Sequence, residues 1–178
     1  MDLSRDAKQA FRTQAYGSVP TIEGVTLVTL TRHVDDGGSM TELARLTEGQ
    51  VAGLADFSVR QVNYSEVAPG AIKAFHLHVR QTDVWYAPPS DRMLVVLIDA
   101  RQGSRTEGAR MRLMLGDNAS RLLRIPPGVA HGVRNLGSAT GRIIYFTDLH
   151  FSAEPSSCDE GRLPWDFAGP DVWEVTRG

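Results

Sequence analysis

The stretch from Ala74 to Trp85, AFHLHVRQTDVW, places His76 and His78 two residues apart between apolar neighbours, in a chain of 178 residues with only five histidines. Imidazole exchanges a proton near neutral pH and is also the commonest metal-binding side chain. The pair therefore reads as a metal site, as a catalytic base with a helper, or as hydrogen-bonded interior residues without chemical consequence. On a strand, residues two apart share a face. His76 and His78 are expected to project together with Ile72 and Ala74, while Lys73, Phe75 and Leu77 point the other way. A second stretch, RIPPGVAHGVRN from Arg124 to Asn135, supplies His131.

Such residues need a core to hold them, and 178 residues are enough for one domain, 1–178, with a buried interior. Short runs rich in Val, Ile, Leu and Phe alternate with turn signals such as DDGG, APG, PPSD, RQGS, LGDN, PPG and LGSATG. This spacing predicts an all-β sandwich or barrel, with strands at 25–34, 40–46, 57–67, 71–79, 83–87, 92–99, 109–116, 121–125, 130–135 and 141–151. Only the first dozen residues and 50–55 read as helical, and no strand–helix alternation supports a parallel sheet. A jelly roll follows. The irregular tail carries Trp165, Phe167 and Trp173, which predicts that it packs on the barrel.

Composition narrows the partners. A net charge of −2, dispersed along the chain, gives no basic surplus to attract a phosphate backbone, so nucleic acid is not an expected partner. No apolar run approaches the roughly 18 residues of a membrane span. The start, MDLSRDAKQAF, has no apolar signal-peptide core, and the single Cys158 has no intrachain disulfide partner. A cytoplasmic protein without a membrane partner is expected.

Two resemblances sharpen this. Gly70-x5-His76-x-His78-x4-Asp83 and Pro126-x-Gly128-x2-His131-x3-Asn135 resemble the paired motifs of the cupin superfamily. That implies a double-stranded β-helix whose interior brings His131 beside the first two histidines. His76, His78, Asp83 and His131 would then form a site for one divalent metal ion, with Asp83 where metal-binding cupins usually carry Glu.

Over Gly38 to Trp173 the chain is similar to the dTDP-4-dehydrorhamnose 3,5-epimerase family of cupins. The likeness rests on QVNYSEVAPGAIKAFH, on IDARQGSRTEG and on RIPPGVAHGV. It implies proton exchange beside the ketone of a dTDP-linked 4-keto-6-deoxy sugar, with no cofactor, in a homodimer. By this resemblance His76 is the base, His131 the second active-site histidine, and Gln61 and Asn63 contact the nucleotide. Lys73 replaces an arginine expected to meet the diphosphate. The acid is a tyrosine on the following strand; ungapped alignment puts Ile144 there, so Tyr145 serves only if the strand is shifted by one residue.

The departures bear on the substrate. GGSMTE stands where the family has R-G-x-F-x-E, leaving Gly37 and Met40 in place of the arginine and the aromatic ring and retaining Glu42. QTDVWYAP lacks the lysine that would stabilise an enolate, and His78 replaces a glutamine. The carboxylate that orients the base belongs to a segment beyond Trp173 in the family; Asp83, Asp148 and Asp166 are the substitutes the sequence offers. Three readings result: the epimerase, a metal-dependent cupin acting on a small carbonyl compound, and a non-catalytic sugar- or nucleotide-binding cupin. The first two conflict at His76, whose ring nitrogen cannot serve one lone pair to both a metal and a proton.

Overall fold

Alternating apolar runs and tight turns favour antiparallel strands, and these dominate the computed structural model, which describes residues 2–13 and 20–175. A short helix α1 (Arg5–Ala10), capped by the Ser4 hydroxyl, precedes the strands. They are β1 (Thr26–Thr29), β2 (Arg32–Asp35), β3 (Gly38–Thr41), β4 (Leu46–Thr47), β5 (Gln50–Val51), β6 (Gln61–Val67), β7 (Ile72–Leu77), β8 (Asp83–Tyr86), β9 (Arg92–Asp99), β10 (Arg110–Gly116), β11 (Arg121–Ile125), β12 (Val129–Asn135), β13 (Gly141–Thr147) and β14 (Gly161–Arg162). A 3-10 turn spans Pro170–Trp173. None of the described helices is long and apolar enough to cross a membrane.

Two five-stranded antiparallel sheets, in the orders β1-β11-β8-β13-β6 and β10-β9-β12-β7-β14, form the jelly roll. Their inner faces meet in a core that includes Trp85 and Leu123 from one sheet with Met93, Leu97 and Val133 from the other. Each outer face has its own cover. The tail lays Leu163, Ala168, Val172 and Trp173 over Phe75, Leu94 and Val96, with the Phe75 and Trp173 rings 5.2 Å apart. The segment carrying Val51, Leu54 and Phe57 covers Val84, Tyr86 and Phe146. Covered on both faces, β8 is buried throughout and β9 from Met93 onward, which is why both read as continuous apolar runs rather than alternating ones.

Several expected boundaries change. The 25–34 strand breaks at Leu30, whose N–H bonds the Ser120 carbonyl, and continues as β2 in a separate hairpin with β3. Residues 50–55 are not helical: they start in β5 and then turn, sending Val51 and Leu54 into the outer core. The expected strand at 40–46 divides between the end of β3 and the start of β4, and those at 57–67, 71–79 and 141–151 shorten. β13 ends where the Thr147 hydroxyl donates to the Leu149 carbonyl. β14 was not expected at all.

The largest correction lies in β7. His131 pairs with His76, but Val133 pairs with Lys73, so three steps on β7 match two on β12. This β-bulge sets Ala74 and Phe75 against Gly132, where any Cβ would collide with the Ala74 side chain. Strict alternation would turn Lys73 away from His76; the bulge brings both to the same wall of the barrel.

Candidate active site

The inner faces of the two sheets enclose a cavity of about 400 Å3. From β7 and β12 come Lys73, His76 and His131, and from the turn after β7 comes His78. The facing sheet contributes Asp83 and Trp85 from β8 and Tyr145 from β13. Tyr145 points inward because it pairs with Trp85 and Asn63 across the sheet, while its neighbour Ile144 packs into the outer cluster. Of these two neighbours it is Tyr145, and not Ile144, that faces the cavity.

A second cavity, of about 450 Å3, adjoins the first. Gln61, Asn63 and Phe151 line it, and it shares His76, Tyr145, Glu160 and Arg162 with the first cavity. Gln61 donates to Asn63 Oδ1 at 2.8 Å and accepts from the Phe151 N–H at 2.9 Å, which fixes both amides. Glu42 is not part of either cavity. It follows the β2–β3 hairpin and is ion-paired with Arg45 at 2.9 Å on an exposed segment.

The carboxylate beside His76 is Glu160, 3.5 Å from Nδ1. None of the three aspartates considered takes that place. Asp148 accepts from the Thr82 N–H, Asp166 lies in an exposed turn, and Asp83 faces His78 and His131. Glu160 was missed because it lies in an irregular tail with no motif around it. The structure anchors it from both sides. Asp159 takes the N–H groups of Val79, Arg80 and Gln81, and β14 pairs with β7 so that Arg162 lies opposite His76.

Burial pushes His76 below its ordinary pKa, helped by the positive charge of Arg162 and partly offset by Glu160. His131 is lowered to about 4, by burial first and against the pull of Asp83. Both rings are therefore neutral near pH 7. Burial raises the Tyr145 phenol, as do the negative charges of Asp83 and Glu160, so it keeps its proton. A neutral imidazole and a protonated phenol thus face one cavity from opposite sheets.

The third histidine belongs to a different grouping. His131 Nδ1 donates to the Val129 carbonyl at 2.9 Å and His78 Nδ1 to the Asp159 carbonyl at 2.6 Å, so the Nε2 atoms of both rings turn toward Asp83. Gln81 and the Trp85 indole N–H hold the Asp83 carboxylate at 2.7 and 2.9 Å. His78, Asp83 and His131 each offer one donor atom within 4.8 Å of the others, and all three are buried. They fit a divalent cation by donor type and by their supporting hydrogen bonds. His76 is outside this group, with Nδ1 directed at Glu160 instead. The four-residue metal set expected from sequence is therefore three residues, and the conflict at His76 disappears.

Fold and cavity together define a cupin whose interior carries a histidine beside a carboxylate, with a tyrosine on the facing sheet. The profile of the dTDP-4-dehydrorhamnose 3,5-epimerase family matches residues 20–166. The spore coat polysaccharide biosynthesis protein SpsL of Bacillus subtilis (strain 168) is 41% identical over 145 residues, covering 82% of this chain and 91% of that protein. The probable low-salt glycan biosynthesis epimerase Agl13 of Haloferax volcanii is 27% identical, covering 83% and 91%. Among solved structures, a dTDP sugar isomerase from Desulfovibrio desulfuricans G20 superposes with a TM-score of 0.73 at 28% identity, covering 88% of this chain and 95% of that one. The chain belongs to the dTDP-4-dehydrorhamnose 3,5-epimerase family, whose members are isomerases acting on dTDP-sugars.

Proposed function

We propose that this chain inverts a carbon next to the ketone of a dTDP-linked 4-keto-6-deoxy sugar, with His76 as base and Tyr145 as acid. The supporting observation is the arrangement of His76, with Glu160 3.5 Å from Nδ1, in a cavity that Tyr145 enters from the facing sheet. With Nδ1 turned to Glu160, Nε2 is the nitrogen available to the substrate. It takes the proton from the carbon beside the ketone, and the C–H electron pair moves into an enolate whose charge rests on the ketone oxygen. Tyr145 then donates its proton to the opposite face of that carbon, leaving the centre inverted. Lys73, carried to the cavity wall by the bulge, is the cation available to the enolate oxygen; Ser65 and the Glu66 carbonyl engage only part of its ammonium. Gln61 and Asn63 receive the nucleotide side of the substrate in the adjoining cavity. No cofactor enters this proton exchange.

Cytoplasmic location is supported by the lone, exposed Cys158. A homodimer is supported by β6, an edge strand that exposes Val62 and Tyr64. Sedimentation at micromolar concentration tests the dimer.

The function is tested by incubating a dTDP-linked 4-keto-6-deoxy hexose with the enzyme in D2O. Wild type is expected to add deuterium beside the ketone, and His76→Asn to add none. No exchange with wild type would overturn the reading.

A second reading is favoured by the convergence of His78, Asp83 and His131. A divalent ion held there would supply Lewis-acid polarisation of a carbonyl oxygen. It predicts stoichiometric zinc, iron or manganese in the purified protein, lost in His78→Gln; the epimerase reading expects little metal.

A further inference from the structure

The family's arginine for the nucleotide is replaced by Gly37 in this chain, and the β2–β3 hairpin around it forms a surface of its own away from the cavities. Two other cations reach the barrel. Lys73 is engaged by Ser65 and Glu66. Arg162, by contrast, pairs through its backbone with His76, while its guanidinium makes no hydrogen bond or ion pair among the described residues and lines both cavities.

Its placement is specific. His76, Tyr145, Glu160 and Arg162 form the shared border between the cavity holding the proton-transfer groups and the cavity lined by Gln61 and Asn63. A sugar nucleotide that puts its ketone beside His76 and its base beside Gln61 must carry its diphosphate across this border. The backbone that holds Arg162 is fixed on both sides. Gly161 pairs with Leu77 so closely that a Cβ would lie 2.5 Å from the Leu77 carbonyl oxygen, and Leu163 exchanges two backbone hydrogen bonds with Phe75. An unpaired guanidinium on a rigid strand is suited to bidentate contact with phosphate oxygens.

We propose that Arg162 is the diphosphate-binding residue of this enzyme, supplied from the C-terminal strand β14 in place of the arginine absent at Gly37. This rests on the sugar-nucleotide reading given above. Because Glu160 immediately precedes that strand, one short segment both orients the base and holds the anion, which links substrate docking to the position of His76.

The test is calorimetric titration with dTDP, thymidine and inorganic pyrophosphate, on wild type, Arg162→Gln and Arg162→Lys. Arg162→Gln is expected to weaken dTDP binding by about 10- to 100-fold, and thymidine binding much less. Pyrophosphate is expected to compete with dTDP in wild type but not in Arg162→Gln, and Arg162→Lys to recover part of the loss. Circular dichroism melting close to that of wild type would establish that Arg162→Gln is folded. If wild type binds dTDP and the folded Arg162→Gln binds it equally well, the role of Arg162 is refuted while the epimerase reading stands. If wild type binds no dTDP, the sugar-nucleotide reading itself fails.

Discussion

His76 and Glu160 act as a unit. In the proposed reaction the Glu160 carboxylate, 3.5 Å from His76 Nδ1, would stabilise the imidazolium formed when His76 takes a proton and would leave Nε2 for the substrate. Glu160→Gln is expected to lower kcat by about 10- to 100-fold with a smaller change in KM. It also removes a charge that raises the His76 pKa, so the acid limb of the pH profile is expected to move to lower pH. Loss of rate with an unmoved limb would assign Glu160 a merely structural role. The wild-type profile should rise with pH as His76 loses its proton, below the ordinary value of 6.5, and fall only where Tyr145 ionises, above 10. Tyr145→Phe keeps the ring and removes the acid. Proton abstraction by His76 is then expected to continue, seen as deuterium wash-in, while inversion stops. Full epimerisation by that variant would place the acid elsewhere.

At the scale of elements, the site depends on two places where backbones approach closely. Gly132 faces the β7 bulge, and Gly161 lies against the Leu77 carbonyl. A methyl at residue 161 has backbone against it and cannot be relieved by a rotamer change, so β14 must move away from β7. Gly161→Ala is expected to cost up to about 100-fold in kcat/KM, because a displacement near one ångström is enough to misplace Glu160 and Arg162. The core lies elsewhere, so the melting temperature is expected to fall by only a few degrees, in line with about 1–3 kcal/mol of local strain. A variant with wild-type kinetics would show that β14 does not position the site.

For the molecule as a whole, the buried histidines make stability depend on pH. The folded-state pKa of His131, about 4, lies below its ordinary value of 6.5, so between these values the unfolded chain binds more protons than the folded one. Stability is therefore full above 6.5 and declines as the pH falls toward 4. The His131 contribution is on the order of 3 kcal/mol at 1.36 kcal/mol per pH unit. His76 adds in the same direction. Urea unfolding of chelator-treated protein between these limits should show this slope, and His131→Gln should flatten it. An equal slope in that variant would assign the acid sensitivity to other groups.

The meeting of His131 with His76 and His78 was implied by the resemblance to the paired cupin motifs, whereas the sequence by itself determined the all-β class, most of the central strands and the shared face of His76 and His78. These depend on local pattern: apolar alternation, turn residues, and the two-residue period that puts His76 and His78 on one face. Tertiary structure decided the rest. The bulge that turned Lys73 inward is a feature of the pairing of two strands 55 or more residues apart in the chain, and no local period encodes it. The inward face of Tyr145 was settled by pairing with Trp85 and Asn63, because a one-step ambiguity in register reverses the face. Glu160 and Arg162 come from a tail whose only regular feature is a two-residue strand. Its geometry is imposed by β7 and by the amides that hold Asp159, so no pattern within the tail could have placed a carboxylate beside the base.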